Sequence, residues 1–260
     1  MGELKDIPFE EESGEIKAKV TDYWTERADS FFEQKQRELK SIKAERWLGE
    51  IRQQLSKVNS SSDGTMKILD VGCGSAFFTV LLGHEGYDVT GIDLTEEMIV
   101  KANKMIELNG PYKSSVKAMV MDAEKLDFSD ESFDVVISRN LTWTLPHPID
   151  AYAQWHRVLK KGGLLLNFDA EYARGAHKLY EDDNLAHKDI SIEMKDKCHA
   201  IYHMLTISNL DRPAWDKEIL KKIGFSDVNI DEDFCERIYS ERDEFYIPDR
   251  MFMISAIKLI

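Results

Sequence analysis

The feature that most restricts the fold is a short apolar segment that leads directly into a glycine turn and then into a helix. Ile68–Val71 is typical of a buried strand, Gly72 and Gly74 follow it, and a helix is predicted over Phe77–His84. Glycine permits a tight turn and a close approach of the backbone to a ligand. Ligands of open α/β sheets bind at the carboxyl edge of the strands, where this turn would lie. The segment therefore predicts an open parallel sheet with a ligand site after its first strand.

The central part of the chain repeats this alternation of strands and helices. Strands are predicted at Lys67–Val71, Tyr87–Ile92, Val116–Met121, Phe133–Ser138 and Leu164–Asp169. Helices are predicted between them at Phe77–His84, Thr95–Leu108 and Ile149–Leu159. Such repetition indicates parallel strands joined by crossover helices, which form a doubly wound sheet. The strands are almost entirely apolar, as expected when helices cover both faces.

Helical patterns flank the alternating region on both sides. Apolar residues recur at helical spacing before a polar loop at 59–65, which predicts an N-terminal helical cover over residues 1–60. The segment 171–212 is charged, rich in histidine and patterned as a helix, so we expect a helical lid inserted over the open edge of the sheet. The sheet domain is then predicted to comprise residues 66–170 and 213–260.

The last part of the chain returns to the α/β pattern. A helix is predicted at Pro213–Ile223, with Pro213 in its first turn and Gly224 as its C-cap. Two strands follow at Val228–Asp231 and Phe252–Leu259. These elements complete the predicted sheet.

Composition and charge exclude several classes of protein. The 260 residues are 43% hydrophobic, which is too apolar for a disordered chain, and no run of about 18 apolar residues predicts a membrane span. The acidic N-terminus has no apolar signal region. Lys and Arg number 34 against 48 Asp and Glu, a net charge of −14 that disfavours binding to nucleic-acid phosphates. Three widely spaced cysteines predict neither a disulfide framework nor a metal knuckle, so we expect a reduced, cytoplasmic protein.

Two classes of cofactor compete for the glycine turn. A dinucleotide fingerprint, G-x-G-x-x-G, requires a third glycine where this chain has Phe77, whose ring would crowd a pyrophosphate. That fingerprint also rarely carries an acid two residues before its first glycine, where Asp70 stands. These residues disfavour NAD and FAD.

The segment Asp70–Ala76 resembles the first motif of the class I S-adenosylmethionine-dependent methyltransferases, an acid followed by x-Gly-x-Gly-x-Gly, with Ala76 in place of the third glycine. Further matches to this family follow in order across residues 66–170: Asp93 after the second strand, Met121-Asp122-Ala123 after the third, the fourth strand Phe133–Ser138, and the turn Leu159–Leu164 with Lys161 in place of the usual proline. The chain is most similar in character to the type 11 branch, which includes the ubiquinone- and menaquinone-methyltransferase-like enzymes of small molecules.

The resemblance implies a Rossmann-like class I fold, a seven-stranded doubly wound sheet whose last strand is antiparallel. It also implies S-adenosyl-L-methionine as the cofactor and S-adenosyl-L-homocysteine as its product. Within the family pattern, Asp93 would accept the ribose hydroxyls, Asp122 would accept the adenine amino group, and Tyr23 or Arg27 would contact the carboxylate. The implied cofactor-binding residues are Asp70, Gly72, Cys73, Gly74, Asp93, Leu94, Met98, Asp122, Ala123, Arg139, Asn140, Tyr23 and Arg27.

Candidate catalytic residues lie after the fourth and fifth strands and are Asp169, Asn140 and His147. Asp169 ends a strand at the carboxyl edge and is the preferred acid or acceptor contact, although a helix cap would explain it equally simply. His147 is either a general base or a turn histidine held between two prolines. Trp143 and Tyr172 are expected to bind the acceptor, although core packing is an alternative for Trp143.

The expected function is methyl transfer to a small molecule. Alternatives are a protein or RNA methyltransferase and a catalytically silent module that binds the cofactor. The sequence Ser138–Leu141 after the fourth strand differs from Asn-Pro-Pro-Tyr, which disfavours amide and base amino groups as acceptors. No nucleic-acid or membrane partner is expected, and the chain is predicted to be a monomer or homodimer. Cys198, His199 and His203 could hold a metal or metalloid, but ordinary helix residues are the simpler interpretation and no metal site is predicted.

Overall fold

A mixed β-sheet organises the helices on its two faces. The computed structural model describes residues 13–58 and 65–259, so nearly all of the loop predicted at 59–65 and the N-terminal segment lie outside the described residues. The strands are β1 (Lys67–Val71), β2 (Asp88–Asp93), β3 (Val116–Val120), β4 (Phe133–Arg139), β5 (Leu159–Ala170), β6 (Phe225–Asp231) and β7 (Met251–Lys258). The α-helices are α1 (Ser13–Leu39), α2 (Ile42–Leu55), α3 (Phe77–His84), α4 (Glu96–Asn109), α5 (Pro148–Val158), α6 (Ile192–Met204), α7 (Ala214–Ile223) and α8 (Phe234–Ile238).

The strand order is β3-β2-β1-β4-β5-β7-β6, and β7 runs antiparallel to both of its neighbours. The predicted seven-stranded class I sheet with an antiparallel last strand is therefore confirmed. Val71 is in register with Ile92 of β2 and with Ser138 of β4, so the carboxyl ends of three adjacent strands meet at one edge. The glycine turn leaves the sheet at that edge.

Two apolar layers hold the helices on the sheet. On one face, Trp47 of α2 is fully buried, and its ring lies 5.3 Å from Phe78 and 5.2 Å from Phe168. On the other face, Tyr152 and Trp155 of α5 are also fully buried, and they belong to a cluster that includes residues of α7. Burial of each such side chain contributes about 1.5–3 kcal/mol. Both faces are covered, which explains the nearly unbroken apolar runs in β1 and β4.

The N-terminal pattern forms two helices, because Ser41 ends the first and caps the second by accepting a hydrogen bond from the backbone of Lys43. Helix α1 lies over the carboxyl edge of the sheet. The lid, residues 171–212, contains α6 and contacts α1 through Gln34 Nε2, which donates to the Ala186 carbonyl at 2.8 Å. A second contact pairs Lys197 with Glu26 at 2.7 Å. The division into cover, sheet domain and lid stays a prediction.

Among residues 13–58 and 65–259, no helix combines the length and the apolar character that a membrane crossing requires. Cys73, Cys198 and Cys235 are buried free thiols. His199 and His203 lie together on α6, with 3.4 Å between their Nε2 atoms. No group of three or more metal-ligating side chains occurs in the part of the chain that the structure describes.

Candidate functional site

A deep cleft lies between the carboxyl edge of the sheet, α1 and the lid. Its floor is formed by the segments that follow β1, β2, β3 and β4, and its roof by α1 and the lid. Every residue implied above to bind the cofactor lines this cleft, and so do Asn140, Trp143 and Tyr172. The structure therefore brings the family motifs and the expected acceptor contacts into one cavity.

The glycine turn forms part of the floor of the cleft. Gly72 and Gly74 have φ angles of +69° and +51°, in the left-handed region that favours glycine. A Cβ atom on Gly72 would lie 2.8 Å from Leu141, and one on Gly74 would lie 3.0 Å from Phe31. Both positions thus require glycine for backbone conformation and for space.

Ala76, at the third glycine position of the motif, also has a left-handed backbone, with φ +70°. It is fully buried before α3 and does not line the cleft. The departure from the motif therefore affects backbone strain rather than contact with a ligand, because alanine is less favourable than glycine in this conformation.

Asp93 connects the end of β2 to the glycine turn. Its Oδ2 accepts a hydrogen bond from the Gly74 backbone at 3.0 Å, and its Oδ1 accepts one from the Thr95 backbone at 2.9 Å. Burial raises the pKa of the Asp93 carboxyl, while these backbone donors oppose the rise. The carboxylate is held in one orientation at the edge of the cleft, with lone pairs remaining for a ligand.

Asp70 lies at the centre of the same edge and is almost fully buried. Thr79 Oγ1 donates a hydrogen bond to its Oδ2 at 2.7 Å. Burial raises the Asp70 pKa to about 7, and the nearby Asp93 charge adds to the rise. The carboxyl therefore changes charge near neutral pH in the ligand-free protein.

We expect Asp70→Asn to remove part of the pH dependence of stability. The Asp70 pKa is 3.8 in its unperturbed state and about 7 in the folded chain, so the folded state holds a proton that the unfolded state releases between these values. The stability due to this proton is fully present below about pH 4 and is lost as the pH rises through about 7. From pH 5.5 to pH 8 the loss should be about 2 kcal/mol in the wild type and absent in the variant. Urea unfolding of the ligand-free proteins at both pH values measures it, and an unchanged difference in Asp70→Asn would contradict the assignment.

Asp122 lies after β3 and is covered by the start of α1. Lys17 Nζ lies 2.6 Å from Asp122 Oδ2 and 2.5 Å from Glu124 Oε2. Burial alone would lower the pKa of the Lys17 ammonium. The carboxylates of Asp122 and Glu124 have the larger combined effect, so the pKa is raised. The interaction joins the cover to the sheet edge at the end of the cleft that Asp122 lines.

Aromatic side chains line the other end of the cleft. Trp143 lies 5.4 Å from Tyr172 and 5.0 Å from Tyr202 between ring centroids, and all three are largely buried. Tyr172 donates a hydrogen bond from its hydroxyl to Asn140 Oδ1 at 2.8 Å. Asn140 has a left-handed backbone, with φ +57°, at the point where β4 ends. Such strain is held in place by surrounding contacts and is common at functional sites.

His187, in the lid, also lines the cleft. Burial, with the nearby charges of Arg27, Lys195 and Lys35, lowers its pKa to about 3, so the ring is neutral at physiological pH. Its Nδ1 lies 2.9 Å from the Asn184 amide oxygen, which can only accept. The proton therefore resides on Nδ1, and Nε2 is the acceptor atom of this ring.

Asp169 and His147 are not brought to the cleft. Asp169 is fully buried on the opposite side of β5, where its Oδ2 lies 3.2 Å from Arg212 Nη1 and accepts the Trp143 backbone N–H at 3.0 Å. His147 precedes α5, and its backbone N–H donates to Glu124 Oε1 at 2.6 Å. The His147 ring also lies against Glu124, with 3.4 Å between Nδ1 and Oε2. Neither side chain lines the cleft, although Asp169 supports Trp143, which does.

The structure also adds cleft residues that the sequence analysis did not identify. They come from α1, the lid and the segment after α8, and include Lys17, Lys35, Glu38, His187, Tyr202, Tyr239 and Phe245. The Lys35–Glu38 spacing in α1 is the only local signal among them, and in a sequence it looks like an ordinary surface ion pair.

Comparison with known proteins agrees with this geometry. A family model described as a methyltransferase domain matches residues 69–167. Residues 69–167 are therefore identified as a methyltransferase domain, of the class I S-adenosylmethionine-dependent type. The match begins in β1 and ends in β5, so it contains the glycine turn, Asp93 and Asp122.

Among curated relatives, an uncharacterised protein of Haemophilus influenzae is 31% identical over 166 residues, which are 63% of this chain and 59% of that protein. The phosphatidylethanolamine N-methyltransferase of Cereibacter sphaeroides is 37% identical over 99 residues, 37% of this chain and 47% of that protein. The chain spans about half to three-fifths of the length of such relatives.

Among solved structures, the phosphoethanolamine N-methyltransferase 2 of Haemonchus contortus, in complex with S-adenosyl-L-methionine, has the same fold. The TM-score is 0.54 at 19% identity, over 80% of this chain and 53% of that chain. At this identity the likeness concerns the fold alone.

The cleft fits the cofactor of this family on three observations. Carboxylates of Asp70, Asp93 and Asp122 line one end, which suits a ligand that carries cationic groups. The turn at Gly72 and Gly74 presents backbone without Cβ atoms to the cleft, which permits a close approach of a ligand. Arg27 Nε is buried and has no hydrogen-bond partner among the described residues, which suits the carboxylate of the same ligand.

Proposed function

We propose that this methyltransferase uses S-adenosylmethionine to methylate a small-molecule acceptor inside the cleft. The observation that carries the proposal is the arrangement of one cavity with two chemically different ends. Carboxylates and the glycine turn form one end, and aromatic rings with Asn140 and His187 form the other. A cavity of this kind accommodates two ligands side by side.

When bound, S-adenosylmethionine supplies an electrophilic methyl group on a sulfonium. Asp93 would hold the ribose hydroxyls, Asp122 the adenine amino group, and Arg27 with Tyr23 the carboxylate. Asp70, Cys73, Leu94, Met98, Ala123 and Asn140 complete the proposed cofactor set around Gly72 and Gly74, and Arg139 lines the cleft beside them.

The protein's own contribution is alignment and the exclusion of water. Helix α1 and the lid cover the cleft and are joined by the Gln34–Ala186 and Glu26–Lys197 contacts. The Tyr172 hydroxyl fixes the amide of Asn140, which then orients the acceptor. His187 Nε2 accepts a hydrogen bond from the nucleophile, while a pKa of about 3 makes this ring a weak base. We therefore propose catalysis by positioning rather than by a strong general base.

The cover that α1 and the lid form over the cleft supports a small acceptor. The net charge of −14 further disfavours nucleic acid. The three buried free thiols are consistent with the proposal of a reducing, cytoplasmic setting.

Isothermal titration calorimetry with S-adenosylhomocysteine tests cofactor binding, and NADH under the same conditions is the matched control. We expect micromolar binding of S-adenosylhomocysteine and no binding of NADH. Binding of NADH alone would overturn the assignment of the glycine turn. Binding of neither compound would instead indicate a module that has lost the cofactor.

Screening of small-molecule acceptors with S-adenosylmethionine then tests turnover. Formation of S-adenosylhomocysteine that requires an added small molecule supports the proposal. Tight cofactor binding, with turnover only when a protein or RNA is supplied, would reject a small acceptor.

A further inference from the structure

The charged side chains that line the cleft are unevenly distributed. Asp70, Asp93 and Asp122 lie at the ends of β1, β2 and β3, and the cation among them is Lys17, which pairs with Asp122. Below the second half of α1, Arg139 and Lys35 line the cleft with one carboxylate, Glu38. The Arg139 charge opposes the rise that burial causes in the Asp70 pKa, so this group lies close to Asp70. We call the part of the cleft at Lys35, Glu38 and Arg139 its basic end.

The basic end is a compact cluster formed by Lys35, Glu38 and Arg139. Arg139 Nη2 donates to Glu38 Oε1 at 2.9 Å and to the Tyr239 hydroxyl at 3.0 Å. Lys35 contacts the other oxygen of Glu38. The Glu38 side chain is fully buried, and 11% of the Lys35 and Arg139 side chains is exposed. Two cations thus share one anion beneath α1.

This arrangement leaves one positive charge uncompensated. The Nε and Nη1 atoms of Arg139 are buried and have no hydrogen-bond partner among the described residues. Its guanidinium lies 4.3 Å from the Trp47 ring centroid, and the ring stabilises the cation without balancing its charge. Buried charge is costly unless it is paired. Burial and then the Arg139 charge lower the Lys35 pKa to about 8, so a second anion would stabilise the cluster.

We propose that the Lys35–Glu38–Arg139 cluster binds an anionic group of the methyl acceptor, a carboxylate or a phosphate, while the apolar body of the acceptor lies against the aromatic wall. The inference rests on the proposed function and gives it a substrate class: an apolar or aromatic molecule with one acidic group. The wall is formed by Trp24, Phe31, Trp143, Tyr172, Tyr202 and Phe245.

The position of the cluster along α1 separates it from the proposed site of the cofactor carboxylate. Lys35 follows Arg27 by eight residues (35 minus 27), which is about 12 Å along a helix axis. Arg27 has its own unpartnered donor, Nε. The helix therefore presents two cations about two turns apart, one proposed for each ligand, and both charges act on the His187 ring, which also lines the cleft.

The test is calorimetric titration of protein saturated with S-adenosylhomocysteine. Benzoate and phenyl phosphate are the anionic probes, and benzamide is the neutral analogue. We expect at least one anionic probe to bind at least tenfold more tightly than benzamide. Lys35→Met should abolish that preference, and Lys35→Arg should retain it because the cation is restored.

Lys104→Met is the matched control. Lys104 is exposed on α4 and lies 5.2 Å from the Phe32 ring centroid, much as Lys35 lies 5.1 Å from Phe31, but it does not line the cleft. The preference for an anion should be unchanged in this variant, and its loss would mean that the effect of Lys35→Met is not specific to the cluster.

Two results would overturn the inference. The first is that neither anionic probe binds the wild type more tightly than benzamide does, a result that requires no variant. The second is a Lys35→Met protein that loses affinity for S-adenosylhomocysteine but not for 5′-methylthioadenosine, because the cluster would then hold the cofactor carboxylate. Failure of the wild type to bind S-adenosylhomocysteine would reject the proposed function instead, and anion titration of the free protein would still test the cluster.

Discussion

Asp93→Ala is expected to weaken S-adenosylhomocysteine binding about tenfold to a hundredfold, because hydrogen bonds to a charged group contribute about 1.5–3 kcal/mol. The carboxylate has two connected roles. It accepts the Gly74 and Thr95 backbone N–H groups, and it is proposed to accept the ribose hydroxyls. Its loss removes the ribose contact and also leaves the glycine turn without its anchor. Calorimetry measures the change directly.

Asp88→Ala is the matched control, since Asp88 begins the strand that Asp93 ends. Asp88 Oδ1 accepts the backbone N–H of Ser115 at 3.0 Å on the surface, away from the cleft. Its replacement should leave affinity unchanged within about twofold. An affinity in Asp93→Ala equal to that of the wild type would show that the ligand site is not at the end of β2.

The sheet, and the meeting of Asp70, Asp93 and Asp122 at one edge of it, could be predicted because their signals are local. A strand, two glycines and a helix are adjacent in the sequence, and β1 and α3 have the predicted bounds Lys67–Val71 and Phe77–His84. Family spacing then located Asp93 and Asp122. Each of these residues lies at a strand end, so sheet topology alone brings them to one edge.

The basic end of the cleft could not be predicted, because its burial depends on distant parts of the chain. Lys35 and Glu38 follow the pattern of a solvated i, i+3 ion pair. They are buried because Arg139 of β4 and Tyr239 meet them, and these partners are about a hundred residues or more away in the sequence. Pairing over such separations leaves no local pattern.

Asp169 was expected to contact the acceptor, but it does not line the cleft. Here too the deciding partner is distant in the sequence. The sequence correctly ends β5 near this residue, but side chains alternate along a strand, and Phe168 takes the face that packs on Trp47. Asp169 therefore points to the other face, where Arg212 lies 43 positions later. One sequence feature could have indicated this ion-pair network. Arg212 and Asp216 stand four positions apart beside Pro213, which is the spacing of an i, i+4 pair at the start of α7.

Arg212→Met is expected to lower the free energy of unfolding by about 3–5 kcal/mol, because it leaves two buried carboxylates unpaired. Arg212 Nε lies 2.9 Å from Asp216 Oδ2, and Nη1 lies 3.2 Å from Asp169 Oδ2. Its Nη2 also donates to Thr142 Oγ1 at 2.7 Å. Burial raises the pKa of Asp169, and the Arg212 charge opposes the rise, so removing the arginine forces protonation or exposure of the carboxyl. Urea unfolding measures the change, with Arg174→Met as the control. That variant removes an exposed ion pair with Glu171 in the lid, and it should lower the free energy of unfolding by less than about 1 kcal/mol.

The contacts among Asp169, Arg212 and Asp216 also determine the expected effect of Asp169→Asn on stability and activity. Asp169 holds the turn that carries Trp143 by accepting its backbone N–H, so the variant should lose stability and should shift the acceptor KM. S-adenosylhomocysteine affinity should change little, because none of the proposed cofactor contacts passes through Asp169. A catalytic acid would behave differently: turnover would fall while the free energy of unfolding stayed constant. That second pattern would return Asp169 to the reaction, whereas loss of stability in both Asp169→Asn and Arg212→Met would assign the pair to the support of the acceptor wall.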